Sequence, residues 1–297
     1  MGVLSKAEII RRIMIGEMLI NSADKKLVVE CLCNPKEAED IFRQHFEKIA
    51  AGTRNSSGRK FLIKEYIEKN FVNKTSEQIK SDIKSKFKSE ENFQDFMEKV
   101  APPIFIDHVN PECLKTANYD LGLGEDVYVT TEKIPTKLNM MGRDGIVSIE
   151  PGEFGILMAY EYIFVPPDLM GFISIRLTHK QKGLVNISGF HADPGFYGRL
   201  MFAVFNAGPN DVPLRYKEPV FMIMFNELTE DGSKVKTGRW SGMENIPVET
   251  LSGLRGTSVS VRNLDERIKR LEMVFPIILT GVISVAVAVI TWVLTHW

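Results

Sequence analysis

The chain has 297 residues, 44% of them hydrophobic and 25% charged, and carries a formal net charge of −1. A near-neutral chain lacks the basic face that nucleic acid demands, so no nucleic-acid partner is expected. Of its three cysteines, Cys31 and Cys33 are separated by one residue and Cys113 is remote. That spacing makes neither a disulfide framework nor a metal set and places the body of the chain in a reducing compartment.

Ser5-x-x-Glu8 has the form of a capping box ahead of Ile9, Ile10, Ile13 and Met14, which predicts a helix of about four turns. Charges spread through residues 1–20, so the segment is not read as a signal peptide. Asn34-Pro35 opens a second helix, with Ile41, Phe42, Phe46 and Ile49 at helical spacing and Gly52 as its stop. Three more stripes follow: Phe61, Leu62, Tyr66 and Ile67; then Ile79, Ile83 and Phe87; then Phe93, Phe96 and Met97. Thr75-x-x-Gln78 caps the second of these, and Pro102-Pro103 closes the helical region. The phenylalanine stripes are read as core, and the lysines alternating with glutamates as solvated surface.

From Ile104 the pattern changes to strands. The runs are 127-VYVTTEKI-134, 146-IVSIEPGEFGILMAY-160, 172-FISIRL-177, 184-LVNISGF-190, 199-RLMFAVFN-206 and 219-PVFMIMFNEL-228. Turn signals about every ten residues point to a mainly β jelly-roll barrel or sandwich. In the run after Asp193-Pro194-Gly195, Arg199, Met201, Ala203 and Phe205 share one face, and Leu200, Phe202, Val204 and Asn206 the other. Residues 229–261 are polar and glycine-bearing, a lid or linker. Asn263-x-x-Glu266 then caps a helix whose Leu264, Ile268 and Leu271 run into 273-MVFPIILTGVISVAVAVITWVLT-295, a stretch without a charged side chain. Its length exceeds the ~20 apolar residues that cross a bilayer, and Trp292 and Trp297 sit at an interfacial position. Arg262, Arg267, Lys269 and Arg270 precede it and only His296 follows. A single-pass protein is therefore expected, its body cytoplasmic and its C-terminus across the membrane.

The order of these pieces resembles the dCTP deaminase and dUTPase superfamily, closer to the deaminase branch. Residues 3-VLSKAEIIRRIMIGEMLI-20 are similar to that branch's N-terminal helix and following strand. The likeness resumes at 118-NYDLGLG-124, 150-EPGEFGILMAYEYIFVPPDLMGFISIR-176, 189-GFHADPGFYGRLMFAVFN-206 and 238-GRWSG-242. Residues from about Ser22 to Ala101 have no counterpart. The organisation that follows is a barrel-associated helix and strand at 1–21, a helical insertion at 22–103, the barrel at 104–230, a lid or linker at 231–262, and a juxtamembrane helix and span at 263–297.

The resemblance implies a distorted jelly-roll β-barrel that assembles as a homo-oligomer, a trimer, with deoxynucleotide sites between subunits. It also implies magnesium carried on bound phosphates, and no zinc. His45-Phe46-Glu47 fits half of a zinc-deaminase signature, but no Pro-Cys-x-x-Cys completes it. The branch's Arg-Ser-Ser-x-Ala-Arg-x-Gly-Leu segment, which holds phosphate and the catalytic water, corresponds to 176-RLTHKQKGL-184. Arg176, Thr178, Gly183 and Leu184 match in type or role, whereas Leu177 replaces a serine and Gln181 an arginine. The family's general base, a glutamate on the strand after the Asp-Pro-Gly turn, corresponds to Ala203. A methyl group cannot take a proton from water, and losing a general base costs about 10²–10⁴-fold.

The nucleotide-binding set implied is thus Arg176, Thr178, Gln181, Gly189, Asp193, Ala203, Arg239 and Trp240, with no metal ligand among them. The last two belong to a Gly238-Arg239-Trp240 segment that resembles the deaminase lid. Asp193 is the catalytic candidate if the chain is active, with His179 or His191 beside it. The leading expectation is a membrane-anchored, catalytically degenerate nucleotide-binding oligomer that acts as sensor or scaffold, for example in a prokaryotic stress or antiviral response. The rivals are an active dCTP or dUTP deaminase or hydrolase with relocated residues, and an interaction scaffold whose helical insertion docks a protein partner.

Overall fold

The computed structural model describes residues 2–21, 25–34, 36–52, 56–86, 97–130, 136–137, 145–230, 234–236, 240–252 and 261–297. Helix α1 (Lys6–Asn21) starts where Ser5 Oγ accepts the Glu8 N–H at 3.3 Å. The Glu8 carboxylate does not complete the box, because it turns to Arg11 and Arg12 instead. The strand expected after this helix is not formed. α1 runs unbroken to Asn21, and the extended contact lies before it, where Val3 bridges Asn226. Four more helices follow: α2 (Lys25–Cys33), α3 (Ala38–Gly52), α4 (Ser56–Asn70) and α5 (Ser76–Lys86). At α5 the capping box is reciprocal: Thr75 N–H donates to Gln78 Oε1 at 2.9 Å, and Gln78 N–H to Thr75 Oγ1 at 3.4 Å.

Phe42, Phe46, Ile67, Ile79 and Ile83 are buried as their spacing predicts. The Phe61 side chain and Phe87, Phe93 and Phe96 lie outside the described residues. His45 of the half-signature sits beside Glu17, 3.5 Å from its carboxylate. The Phe71 ring lies 5.7 Å from that of Phe164 and 6.0 Å from that of Phe105, so the helices and the sheet share one continuous core.

The strands are β1 (Phe105–Ile106), β2 (Tyr119–Val129), β3 (Thr136–Lys137), β4 (Ile146–Ile149), β5 (Phe154–Phe164), β6 (Leu169–Ile175), β7 (Leu184–Asn186), β8 (His191–Ala192), β9 (Tyr197–Asn206), β10 (Val212–Arg215) and β11 (Pro219–Glu227). Every ladder pairing is antiparallel, in the order β7-β9-β5-β2-β11-β6-β8, with β1 on β5, β3 on β2, and β4 and β10 paired apart. The two ends of that path, β7 and β8, are joined by residues 187–190 alone. The connection donates Ile187 N–H to Ala203 O on β9 and accepts the Ile173 N–H of β6 at Phe190 O. A sheet whose first and last strands are consecutive in the chain has curled upon itself, and this one is a distorted barrel.

The run 146–160 is two strands rather than one. Pro151-Gly152 turns the chain, and the Glu153 carboxylate accepts the Glu150 N–H at 2.8 Å. On β9 the alternation holds from Leu200 onward: Leu200, Phe202, Val204 and Asn206 are buried, while Met201, Ala203 and Phe205 are more open; Arg199, expected on the open face, is buried. A short helix, α6 (Leu177–Lys180), stands between β6 and β7, and beyond the barrel come α7 (Val248–Ser252) and α8 (Val261–His296). Residues 267–296 of α8 are long and apolar enough to cross a bilayer, with a mean hydropathy of 2.6 in their most apolar window.

Candidate functional site

Both motif segments are built around β9, at opposite ends of it. At the Asn206 end, the phosphate-segment counterpart is not strand. Arg176 keeps extended geometry, and the chain then closes the single turn of α6. The strand reading of Leu177 gives way because His179 and Lys180 both return their N–H groups to Arg176 O. The Arg176 guanidinium is committed to the barrel: Nε lies 3.2 Å from Asp120 Oδ2, and Nη1 donates to Pro219 O at 3.2 Å. Asp120 is buried, and its other oxygen accepts Asn118 Nδ2 at 2.9 Å.

His179 is buried beside this group, its Nε2 3.3 Å from Pro219 O and 3.7 Å from Glu218. Burial pushes its imidazole pKa down, against a smaller pull upward from Glu218. Thr178 and Gln181 point to solvent. Gly183 takes φ +99°, and a Cβ there would stand 2.3 Å from the backbone of Gly208, so the loop and the end of β9 cross only because both residues are glycine. Asn206 fastens the crossing, donating Nδ2 to Ile149 O and Asn210 O and accepting the Gly208 N–H.

At the Tyr197 end, the Asp-Pro-Gly turn returns Phe196 N–H to Asp193 O. Gly195, at φ +80°, lets Val235 and Lys234 approach to 2.9–3.0 Å of where a Cβ would be. The Asp193 carboxylate is 79% exposed and pairs with His191 Nε2 at 3.1 Å. Trp240 is exposed at the same end. The segment after it lies along β9, with Gly242 N–H on Tyr197 O and Arg199 N–H on Met243 O. Arg239 lies outside the described residues. Gly189, exposed in the 187–190 connection, accepts Asn186 Nδ2 at 3.3 Å.

Ala203 belongs to the first end, six residues along β9 from Tyr197 and so about 20 Å from it at the rise of an extended chain. One chain therefore brings Arg176, Thr178, Gln181 and Ala203 to one end of the strand and Asp193 and Trp240 to the other. The face that bears Ala203 is apolar: Ile156 pairs with Ala203, and Ile156, Tyr128, Met158 and Met201 pack under Ile246 and Leu251.

One buried carboxylate escaped the sequence reading. Glu161 on β5 accepts the Gly122 N–H at 2.9 Å, and its pKa is pushed up to about 8, first by burial and then by Asp107, against Arg199. A lone acid inside an eleven-residue apolar strand was the available signal. Around it lie buried Asp107, with His108 Nδ1 3.0 Å from its carboxylate, and buried Arg199, 3.7 Å from Glu125. Glu161 stands five residues along β5 from the partner of Ala203, about 16 Å, and so lies well away from the Ala203 position. Among the described residues no three His, Cys, Asp or Glu side chains converge into a metal-holding group.

A barrel closed through a four-residue crossing, with a glycine-built Asp-Pro-Gly turn at one end of a central strand and an arginine-capped turn at the other, defines the structural class. A model of the dCTP deaminase-like family matches residues 87–228. A dCTP deaminase of Pyrococcus abyssi is 30% identical over 148 residues, half of this chain and 92% of that protein. One of Thermococcus kodakarensis matches at the same identity, over 50% of this chain and 92% of its own length. A crystal structure of 2′-deoxycytidine 5′-triphosphate deaminase from Agrobacterium tumefaciens covers 40% of this chain and 42% of that one, at 14% identity and a TM-score of 0.34. The chain belongs to the dCTP deaminase-like family.

Proposed function

We propose that the protein is a membrane-anchored homo-oligomer, a trimer, that binds a deoxynucleotide and does not deaminate it, acting as a sensor or scaffold. The observation that carries this reading is Ala203. The position where the family's reaction draws a proton from water holds a methyl group, and its surroundings are Ile156, Met201 and Tyr128. Leu177 and Gln181, both exposed, add two further departures in the phosphate segment. Assembly is supported by the separation along β9, since residues at its two ends can meet one ligand only if two copies contribute. Magnesium, where it enters, would come on the triphosphate. Anchorage is supported by α8, and a cytoplasmic body by the cationic residues ahead of the uncharged stretch.

The test is turnover. Purified protein given dCTP or dUTP should release no product, while thermal shift with the binding nucleotide at 100 times its Kd should add about 2.7 kcal/mol. Turnover at ~1–10³ s⁻¹ would overturn the reading, and no shift with any nucleotide would leave a scaffold that binds none. A second reading rests on the exposed His191–Asp193 pair at 3.1 Å, which could activate water for triphosphate hydrolysis. Under that reading Asp193→Asn abolishes turnover and leaves the oligomer intact.

A further inference from the structure

Helix α8 carries more apolar surface than an anchor needs. Before the uncharged stretch, residues 264–272 read LDERIKRLE: three apolar residues and six charged ones. Leu264, Ile268 and Leu271 are 47%, 51% and 67% exposed, and they are interspersed with six charged residues. Their spacing is four and then three, a 3.5-residue period. Phe275, Ile278 and Val282 continue it without a break of phase, and it extends to Trp292. Inside a span apolar residues are required in any case, so the period there decides nothing. In the charged segment it does decide, because every apolar residue falls on the seam and every charge falls off it. A 3.5-residue seam is what a coiled coil presents to its neighbour.

We infer that α8 joins copies of this chain in a parallel, in-register coiled coil that begins at the charged turns and continues into the span. The flanking charges select this occupant. With Ile268 on the seam, Arg267 stands just before it and Glu272 just after Leu271. In a parallel pair Arg267 therefore faces Glu272 of the second copy, whereas an antiparallel pair would set like charges against each other. Asp265, which follows Leu264 as Glu272 follows Leu271, is held by Lys269 one turn on at 2.6 Å. The inference takes from the proposed anchorage only that all copies enter the bilayer in the same direction. It does not depend on contacts between barrels.

The experiment is oxidative cross-linking of the full chain in phospholipid vesicles, with protein carrying no added cysteine as baseline. Cys33 is replaced by serine in every chain, the baseline included; Cys31 and Cys113 are buried and their thiols are raised to about 11, so they form little thiolate at neutral pH. Leu271→Cys, on the seam, should give a disulfide-linked dimer, and Lys269→Cys, off it, should not. Arg267→Glu or Glu272→Arg in the Leu271→Cys chain should each lower the dimer fraction about twofold, the size of one such ion pair, and the two together should restore it. Equal cross-linking of the Lys269→Cys and Leu271→Cys chains would overturn the inference. So would a Leu271→Cys chain whose new thiol is shielded from aqueous thiol reagent yet forms no dimer, which would assign this face to the lipid surface. Flotation of each variant with the vesicles scores the anchorage separately, so a chain that fails to float and a chain that floats without pairing give different answers.

Discussion

The barrel and α8 hold apolar side chains of the same kinds in opposite surroundings. Phe202 and Phe221 are fully buried and stack face to face at 3.8 Å, whereas Ile277 and Leu294 of α8 are 68% and 75% exposed. In the barrel, strands of alternating character turn one face inward and find their solvent in each other. In the uncharged stretch of α8 the apolar residues run all the way round, the pattern of a segment that needs an apolar partner on every side. Composition alone would have treated these regions alike; period and turn chemistry separate them.

If the two regions are independent, each should break without the other. The largest effect is expected of Gly183→Ala. Its Cβ would meet the Gly208 backbone at 2.3 Å in a left-handed conformation, a loss of at least ~4 kcal/mol. Circular dichroism should show the barrel's cooperative melt lost while vesicle flotation persists; a melt like that of the unmodified chain would mean the crossing is not fixed. Next in size is Ile283→Arg at the middle of the span, with ~2.5–3.5 kcal/mol lost from insertion. Flotation should fall and the barrel should melt unchanged, and a barrel that melts lower would mean the regions are coupled.

A third effect concerns pH and appears only above the usual carboxyl range. In the folded chain Glu161 keeps its proton up to about pH 8, against a usual carboxyl pKa of 4.5. Between those values the folded state holds one more proton than the unfolded state. The resulting stability is whole at low pH and is lost as pH rises through the window. Glu161→Gln, which can still accept the Gly122 N–H, should melt like the unmodified chain at pH 5 and higher at pH 8. Parallel curves would show that Glu161 is ionised in the fold.

Legibility in the sequence follows how local the determining physics is. The reciprocal cap at Thr75 and Gln78 involves groups three residues apart, and the alternation of β9 is a property of any extended chain with one face inward; both could be read directly. The one-turn helix at Leu177 could not, because 172–177 alternates as a strand does and only two hydrogen bonds to Arg176 O end it. Asp120 and Glu161 were invisible as site residues because a buried acid is defined by partners far along the chain, Arg176 for one and the Gly122 amide for the other. Ala203 was singled out only by resemblance, since no periodicity distinguishes it from its neighbours on β9.

Asn206 has a consequence that reaches past the turn it closes. Its amide grips Ile149, Gly208 and Asn210 at once, which pins the last residue of β9 to an absolute position. A slip by one residue would exchange odd for even along the whole ribbon, bringing Phe202 out and Ala203 and Phe205 in. One carboxamide thus sets the parity of the strand, and with it which atoms any visiting molecule meets.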